Sequence, residues 1–161
     1  MVIVLMGVSG AGKTTIGKTL ADATGWEFRD ADDLHSAANK SKMAQGIPLT
    51  DADRAPWLAS IRDLIATTLA RDANLVLACS ALKQSYRDYI VVDPARVKIV
   101  YLNGSRELIA DRIAHRKSHF MNRALLESQF DTLEEPRDAV TVDVAPPPRS
   151  IVEEIRQQLG I

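Results

Sequence analysis

Gly7-Val8-Ser9-Gly10-Ala11-Gly12-Lys13-Thr14 has the residue types and spacing to hold a polyphosphate, fitting G-x-x-x-x-G-K-[ST]. Glycines at 7, 10 and 12 let the backbone pass through conformations closed to other residues, so successive N–H groups converge on one concavity. Lys13 adds a mobile point charge for the β- and γ-phosphates, and Thr14 a hydroxyl of the right reach for Mg²⁺. A helix starting here turns its positive dipole end toward the same place. Gly7, Val8, Ser9, Gly10, Ala11, Gly12, Lys13, Thr14 and Thr15 are therefore the expected contacts to a nucleoside triphosphate.

Further polar groups follow later apolar runs. Asp30-Ala31-Asp32-Asp33 comes after Trp26-Glu27-Phe28-Arg29, and Ser80-Ala81-Leu82-Lys83 after Leu75-Val76-Leu77-Ala78-Cys79. In parallel α/β sheets ligands collect outside the carboxyl ends of the strands, so these groups belong beside the phosphate loop. Arg112, His115, Arg116, Lys117, His119 and Arg123 crowd a stretch without periodicity, which predicts a basic flap. Together they suit phosphoryl transfer to a small acceptor, chemistry that is mostly positioning and charge neutralisation. A carboxylate would take the acceptor hydroxyl's proton, and flap cations would neutralise the migrating phosphoryl and exclude water. A nucleotide-dependent switch is the rival class. A guanine reader N-K-x-D is missing from it, because the one Asn-Lys pair, Asn39-Lys40, precedes Ser41-Lys42 and lies too early in the chain.

The elements that must position these groups are legible as alternating strands and helices. Val2 to Met6, Trp26 to Arg29, Leu75 to Cys79, Val97 to Leu102 and Ala139 to Val144 read as strands. Ile16, Leu20 and Ala23 recur on one helical face. Leu58, Ile61, Leu64, Ile65 and Leu69 do the same on a helix opening at Arg54, with Asp53 as its expected N-cap. Leu34 to Asp53 reads as a short helix and an ordered loop. Ser105 caps a helix through Ile113, and Ser150-x-x-Glu153 predicts a capping box on the closing helix after Pro146-Pro147-Pro148. The expectation is a three-layer α/β/α sandwich around a five-stranded parallel sheet with the first strand central, a P-loop kinase fold with a lid segment.

With 161 residues the chain suits one domain, 1–161. A net charge of −1 with acids and bases mixed along the length gives no basic stripe for nucleic acid and no polybasic block for a membrane. The first residues run straight into a strand and no apolar run approaches a bilayer's thickness, so a cytoplasmic protein acting on small molecules is expected. Cys79, alone of its kind, reads as a buried core thiol.

The phosphate loop from Met6 to Thr14, Asp32-Asp33-Leu34-His35, and the block Lys42-Met43, Gly46, Pro48-Leu49, Asp51, Asp53-Arg54, Pro56-Trp57-Leu58 resemble gluconate kinases. So do Cys79-Ser80-Ala81-Leu82-Lys83, Tyr86-Arg87-Asp88, Arg116-Lys117-x-His119-Phe120, Ser128-Gln129-Phe130 and Leu133-Glu134-x-Pro136. The likeness spans nearly the whole chain, within the shikimate-kinase-like group. It implies ATP-dependent, Mg²⁺-requiring phosphorylation of D-gluconate on its 6-hydroxyl, usually by a homodimer. A related kinase for another sugar acid or shikimate is the alternative. Ala31 and Ser36 depart from the family's usual Gly and Pro, which puts loop geometry in question.

On this resemblance Lys13, Asp32 and Arg116 are the expected catalytic groups, with Asp32 activating the acceptor hydroxyl. Thr14, and Asp30 through water, would hold Mg²⁺. His35, Arg54, Lys83, Arg87 and Gln129 join Asp32 in lining the sugar-acid pocket. Arg112 and Pro146 flank the adenine. Arg116, Lys117 and His119 belong to the lid, about 116–127.

Overall fold

A computed structural model describes residues 1–115 and 123–161. Five parallel strands, β1 (Val2–Met6), β2 (Glu27–Asp30), β3 (Leu75–Ala78), β4 (Val97–Asn103) and β5 (Val140–Asp143), pair in the order β2-β3-β1-β4-β5. The helices are α1 (Lys13–Thr24), α2 (Ala37–Ala44), α3 (Asp51–Ala70), α4 (Gln84–Ile90), α5 (Arg106–Ala114), α6 (Arg123–Thr132) and α7 (Pro148–Leu159), with a 3₁₀ turn at Ala31–Leu34. The parallel sheet and the central first strand are as the sequence predicts. Among the described residues no helix is long and apolar enough to cross a membrane.

β1 is central because every one of its residues is apolar and has somewhere to go on both faces. Ile3 and Leu5 pack with Ile16 and Leu20 of α1 and Ile151 and Ile155 of α7. Val2, Val4 and Met6 pack with Trp57, Ile61 and Ile65 of α3. All five β1 side chains are 0% exposed, each contributing about 1.5–3 kcal/mol of burial. Cys79 is buried as expected, and that burial pushes its thiol up to about 12, where it is inert.

Helix starts differ from expectation in two places. α3 begins at Asp51, not Arg54: Thr50 Oγ1 accepts from Asp53 N at 3.1 Å and Asp53 Oδ2 accepts from Thr50 N at 2.9 Å. Asp53 is therefore the far half of a capping box and not the N-cap. α7 begins at Pro148, whose fixed φ suits a first helical position and whose missing N–H costs nothing there, so Ser150 lies inside the helix and caps nothing. The two departures from the family pattern have plain physical accounts. Ser36 is the N-cap of α2, its hydroxyl accepting from Asn39 N at 3.1 Å. Ala31 sits at negative φ with its methyl fully buried, so no glycine is required.

Thr50→Ala is expected to lower the unfolding free energy by about 1 kcal/mol in urea titrations at neutral pH. The Lys42 ammonium, and then the Thr50 amide, hold the Asp53 carboxyl down at about 2. A carboxyl depressed in the folded state stabilises above its unfolded value and loses that contribution as pH falls through the folded one. Wild type and Asp53→Asn should thus differ in stability near neutrality and converge toward about pH 2.

Candidate active site

The phosphate loop leaves β1 at Gly7, whose φ of +148° and whose 2.9 Å approach of a would-be Cβ to Leu102 O exclude any side chain. Val8 and Ala11 bury their side chains in the core, anchoring the loop from beneath. Gly12, in the left-handed region, leads into α1. No side chain caps α1 and no acid occupies its first turn, which keeps the amides around Lys13, Thr14 and exposed Thr15 available for an anion. Lys13 Nζ donates to Gly7 O at 2.9 Å and Val8 O at 3.0 Å, curled over the loop it would serve.

Two carboxylates stand at the end of β2. Asp30 Oδ2 accepts from Thr14 Oγ1 at 2.9 Å, and its Oδ1 accepts from Asp32 N at 3.1 Å. Asp32 reaches the cleft with its carboxyl closely surrounded by protein although open to solvent. That crowding, then the Asp30 charge, raises its pKa, against the lowering effect of Lys13.

A cleft of about 590 Å³ joins these groups to the second wall, where Ser9, Lys13, Asp32, His35, Arg54 and Gln129 all face it. His35 is 8% exposed and stacks on Trp57 with ring centroids 4.5 Å apart and planes 9° apart. Trp57 is fixed in turn by donating to Ala31 O at 2.7 Å. Burial, then the Arg54 and Lys40 charges, lowers the His35 pKa to about 4, so the ring is neutral near pH 7. Its Nδ1 is buried without a hydrogen-bond partner among the described residues. Arg54, at the start of α3, is braced by Leu49 O at 2.7 Å and lies 5.9 Å from the Tyr86 ring centroid.

Other expected site residues have different surroundings. Lys83 is not on the cleft lining: it is paired to Asp51 at 2.9 and 3.0 Å, and Asp51 also accepts from the Tyr86 hydroxyl. Arg87 stands apart from the expected pocket. It is 2% exposed, its guanidinium is spent on backbone carbonyls, and it borders a separate cleft at the amino ends of β4 and β5. Gln129 does reach the expected cleft, but its Oε1 accepts from Ser9 N at 2.7 Å, so it also touches the phosphate loop. Arg112 donates to Val144 O at 2.6 Å, two residues before Pro146, which brings the two expected adenine flanks together. Arg116, Lys117 and His119 lie outside the described residues. Leu126 and Glu127, at the end of the expected lid span, pack on the core and pair with Arg106 at 2.5 Å, respectively. Asp51, Trp57 and Tyr86 were not expected as site groups, although all three stand inside the blocks that carry the family resemblance.

The family model for shikimate kinase matches residues 9–159. A gluconokinase of Gluconobacter oxydans is 48% identical, over 84% of this chain and 76% of its own length. A probable gluconokinase of Xenopus tropicalis is 42% identical, over 99% of this chain and 93% of its own. The crystal structure of a gluconokinase from Sinorhizobium meliloti superposes with a TM-score of 0.89 at 46% identity, covering 98% of this chain and 90% of that one.

The His35 ring should titrate with a midpoint near pH 4 when followed by its NMR signals. Between the unfolded value of 6.5 and about 4 the unfolded chain binds the extra proton, so this residue removes stability as pH falls through that window. A midpoint near 6.5 would contradict the buried, cation-flanked setting.

Proposed function

The chain belongs to the gluconokinase family within the shikimate kinase group, and we propose that it transfers the γ-phosphoryl of ATP to the 6-hydroxyl of D-gluconate. The products are 6-phospho-D-gluconate and ADP. The observation that carries this reading is the single cleft in which Lys13 and the phosphate loop face Asp32 on one side and Arg54 on the other. A linear sugar acid offers one carboxylate and a row of hydroxyls, which suits one rigid bidentate cation plus neutral readers. Arg54 is the cation, held at a helix start, and neutral His35 is a reader.

In the reaction Asp32 accepts the 6-hydroxyl proton as that oxygen bonds to the γ-phosphorus, and the bond from phosphorus to the bridging oxygen of ADP breaks. Burial and then the Asp30 charge raise the Asp32 carboxyl above its ordinary value, which makes it a better proton acceptor than a free carboxylate. Lys13 follows the β- and γ-phosphates, and Arg116 from the lid, about 116–127, neutralises the migrating group. Arg112 and Pro146 flank the adenine.

Thr14 and Asp30 fit Mg²⁺: a hydroxyl and a carboxylate oxygen, 2.9 Å apart, are hard donors beside the phosphate site. Among the described residues no group of three His, Cys, Asp or Glu could cage a cation alone, which suits an ion that keeps waters and takes phosphate oxygens. When bound, the ion supplies charge neutralisation to the phosphates. The family also suggests a single-domain protein, a homodimer and a cytoplasmic location.

A coupled assay of ADP release with ATP and gluconate, glucose, shikimate or a nucleoside monophosphate tests the substrate. Gluconate should be used and the others not appreciably; comparable turnover of glucose would overturn the assignment. Arg54→Lys should lose roughly two to four decades in kcat/KM, because an ammonium cannot form the two parallel bonds. Asp32→Asn should lower kcat about a hundredfold or more with ATP binding nearly intact. Lys13→Ala should abolish transfer.

A further inference from the structure

α6 ends beside the loop after β3, and two points in its C-terminal half and exit are tied to different parts of the cleft. At its foot, Glu134 N donates to Leu82 O at 2.9 Å, and Gln84 N donates to Glu134 Oε2 at 2.6 Å. Arg87 closes this junction. Its Nη2 donates to Glu134 O at 2.7 Å and Gln84 Oε1 at 2.6 Å, while Nη1 donates to Ala81 O at 2.8 Å and Leu82 O at 3.1 Å.

The junction holds strain as well as position. Ala81 has φ of +41°, a left-handed conformation that costs a non-glycine residue energy and persists only where surrounding bonds impose it. One of those bonds is the Arg87 bond to its carbonyl. About one and a half turns before the foot, Gln129 accepts from the Ser9 amide of the phosphate loop. Around the head, Arg106 grips another side of α6, pairing with Glu127 and lying 4.7 Å from the Phe130 ring centroid. Leu126 is buried on the inner side. A helix held in this way is a strut of fixed length between the β3 end and the donors for phosphate.

We propose that Arg87 is a positioning residue: by fixing Glu134 at the foot of α6, it holds Gln129 against Ser9 and so sets the phosphate loop relative to the opposite wall of the cleft. This rests on the phosphotransfer reading above and gives Arg87 a different role from the substrate contact implied by the family resemblance. In-line transfer tolerates little misplacement, so loosening the strut costs turnover more than binding. Arg87→Met releases four bonds at the foot. Gln129→Ala releases one at the head, and the two should be equivalent in their effect on Ser9.

The test is hydrogen–deuterium exchange on the ligand-free protein in peptides covering 7–12 and 81–84, with steady-state kinetics on the same variants. Exchange in 7–12 should rise in Gln129→Ala and in Arg87→Met. In both, kcat should fall about tenfold with both KM values changed less than about threefold. The double variant should be no worse than Arg87→Met alone, the mark of residues acting through one path. Should Arg87→Met fail to fold, Arg87→Lys, whose ammonium keeps the charge but cannot hold the four bonds of the guanidinium fork, carries the same comparison. Faster exchange confined to 81–84, additive losses, or a rise in the gluconate KM with kcat preserved would overturn the proposal. Wild-type protein that leaves gluconate unphosphorylated would remove the substrate reading, whereas the exchange result stands or falls without it.

Discussion

Backbone amides bind phosphate well only when they already point at it, and everything in this molecule follows from keeping the Gly7 to Thr14 amides fixed. A loop rich in glycine is costly to order. Here the order comes from below and from the sides. β1 is wholly buried between two helical layers, and Val8 and Ala11 are sunk into the core. Gly7 N is tied to Ser80 O at 3.3 Å, and Ser9 N to Gln129. The loop is thus braced by the ends of two neighbouring elements, and those elements carry the groups that face it.

Electrostatics in the cleft is arranged by burial as much as by charge. Crowding and Asp30 raise the Asp32 carboxyl, while enclosure on Trp57 and the cations around it lower the His35 imidazole. One group becomes a better base and the other a neutral hydrogen-bonding ring, with no change of charge expected of His35 near neutrality. At the mouth, Asp51 is held low by its bonds from Tyr86 and then Lys83, so a single carboxylate organises that pair close to Arg54. This side of the cleft therefore presents a cation, Arg54, whose direction is set by Leu49 O and Asp51 before any ligand arrives.

Much of this is legible in the chain. The phosphate motif, the apolar runs and the acids after the second strand give the parallel sheet, its central strand and the end of it at which these polar groups gather, because the periods of two and of 3.6 and the glycine spacing are local properties. What local pattern does not carry is which partner a long polar side chain chooses. Arg87 and Lys83 stand in a motif rich in candidate ligands, yet one is buried on backbone carbonyls that include Glu134, 47 residues away, and the other is bound by Asp51, 32 residues away. Asp53 has the residue type of an N-cap, but Thr50 is the cap, because Thr and Asp both suit that position and only the reciprocal side-chain-to-backbone bonds between them assign the roles. In the sequence Trp57 stands out only through the family resemblance; in the fold it is core, and its stacked face on His35 also borders the cleft.

Two substrates held in one cleft allow direct transfer, whereas an indirect route would pass the phosphoryl group through a side chain of that cleft. The stereochemical course at phosphorus separates the two. With ATP made chiral at the γ-phosphorus by sulfur and oxygen isotopes, a single in-line displacement by the gluconate 6-hydroxyl predicts inversion of configuration in the product. Retention would mean two displacements through a phosphorylated enzyme and would contradict the account.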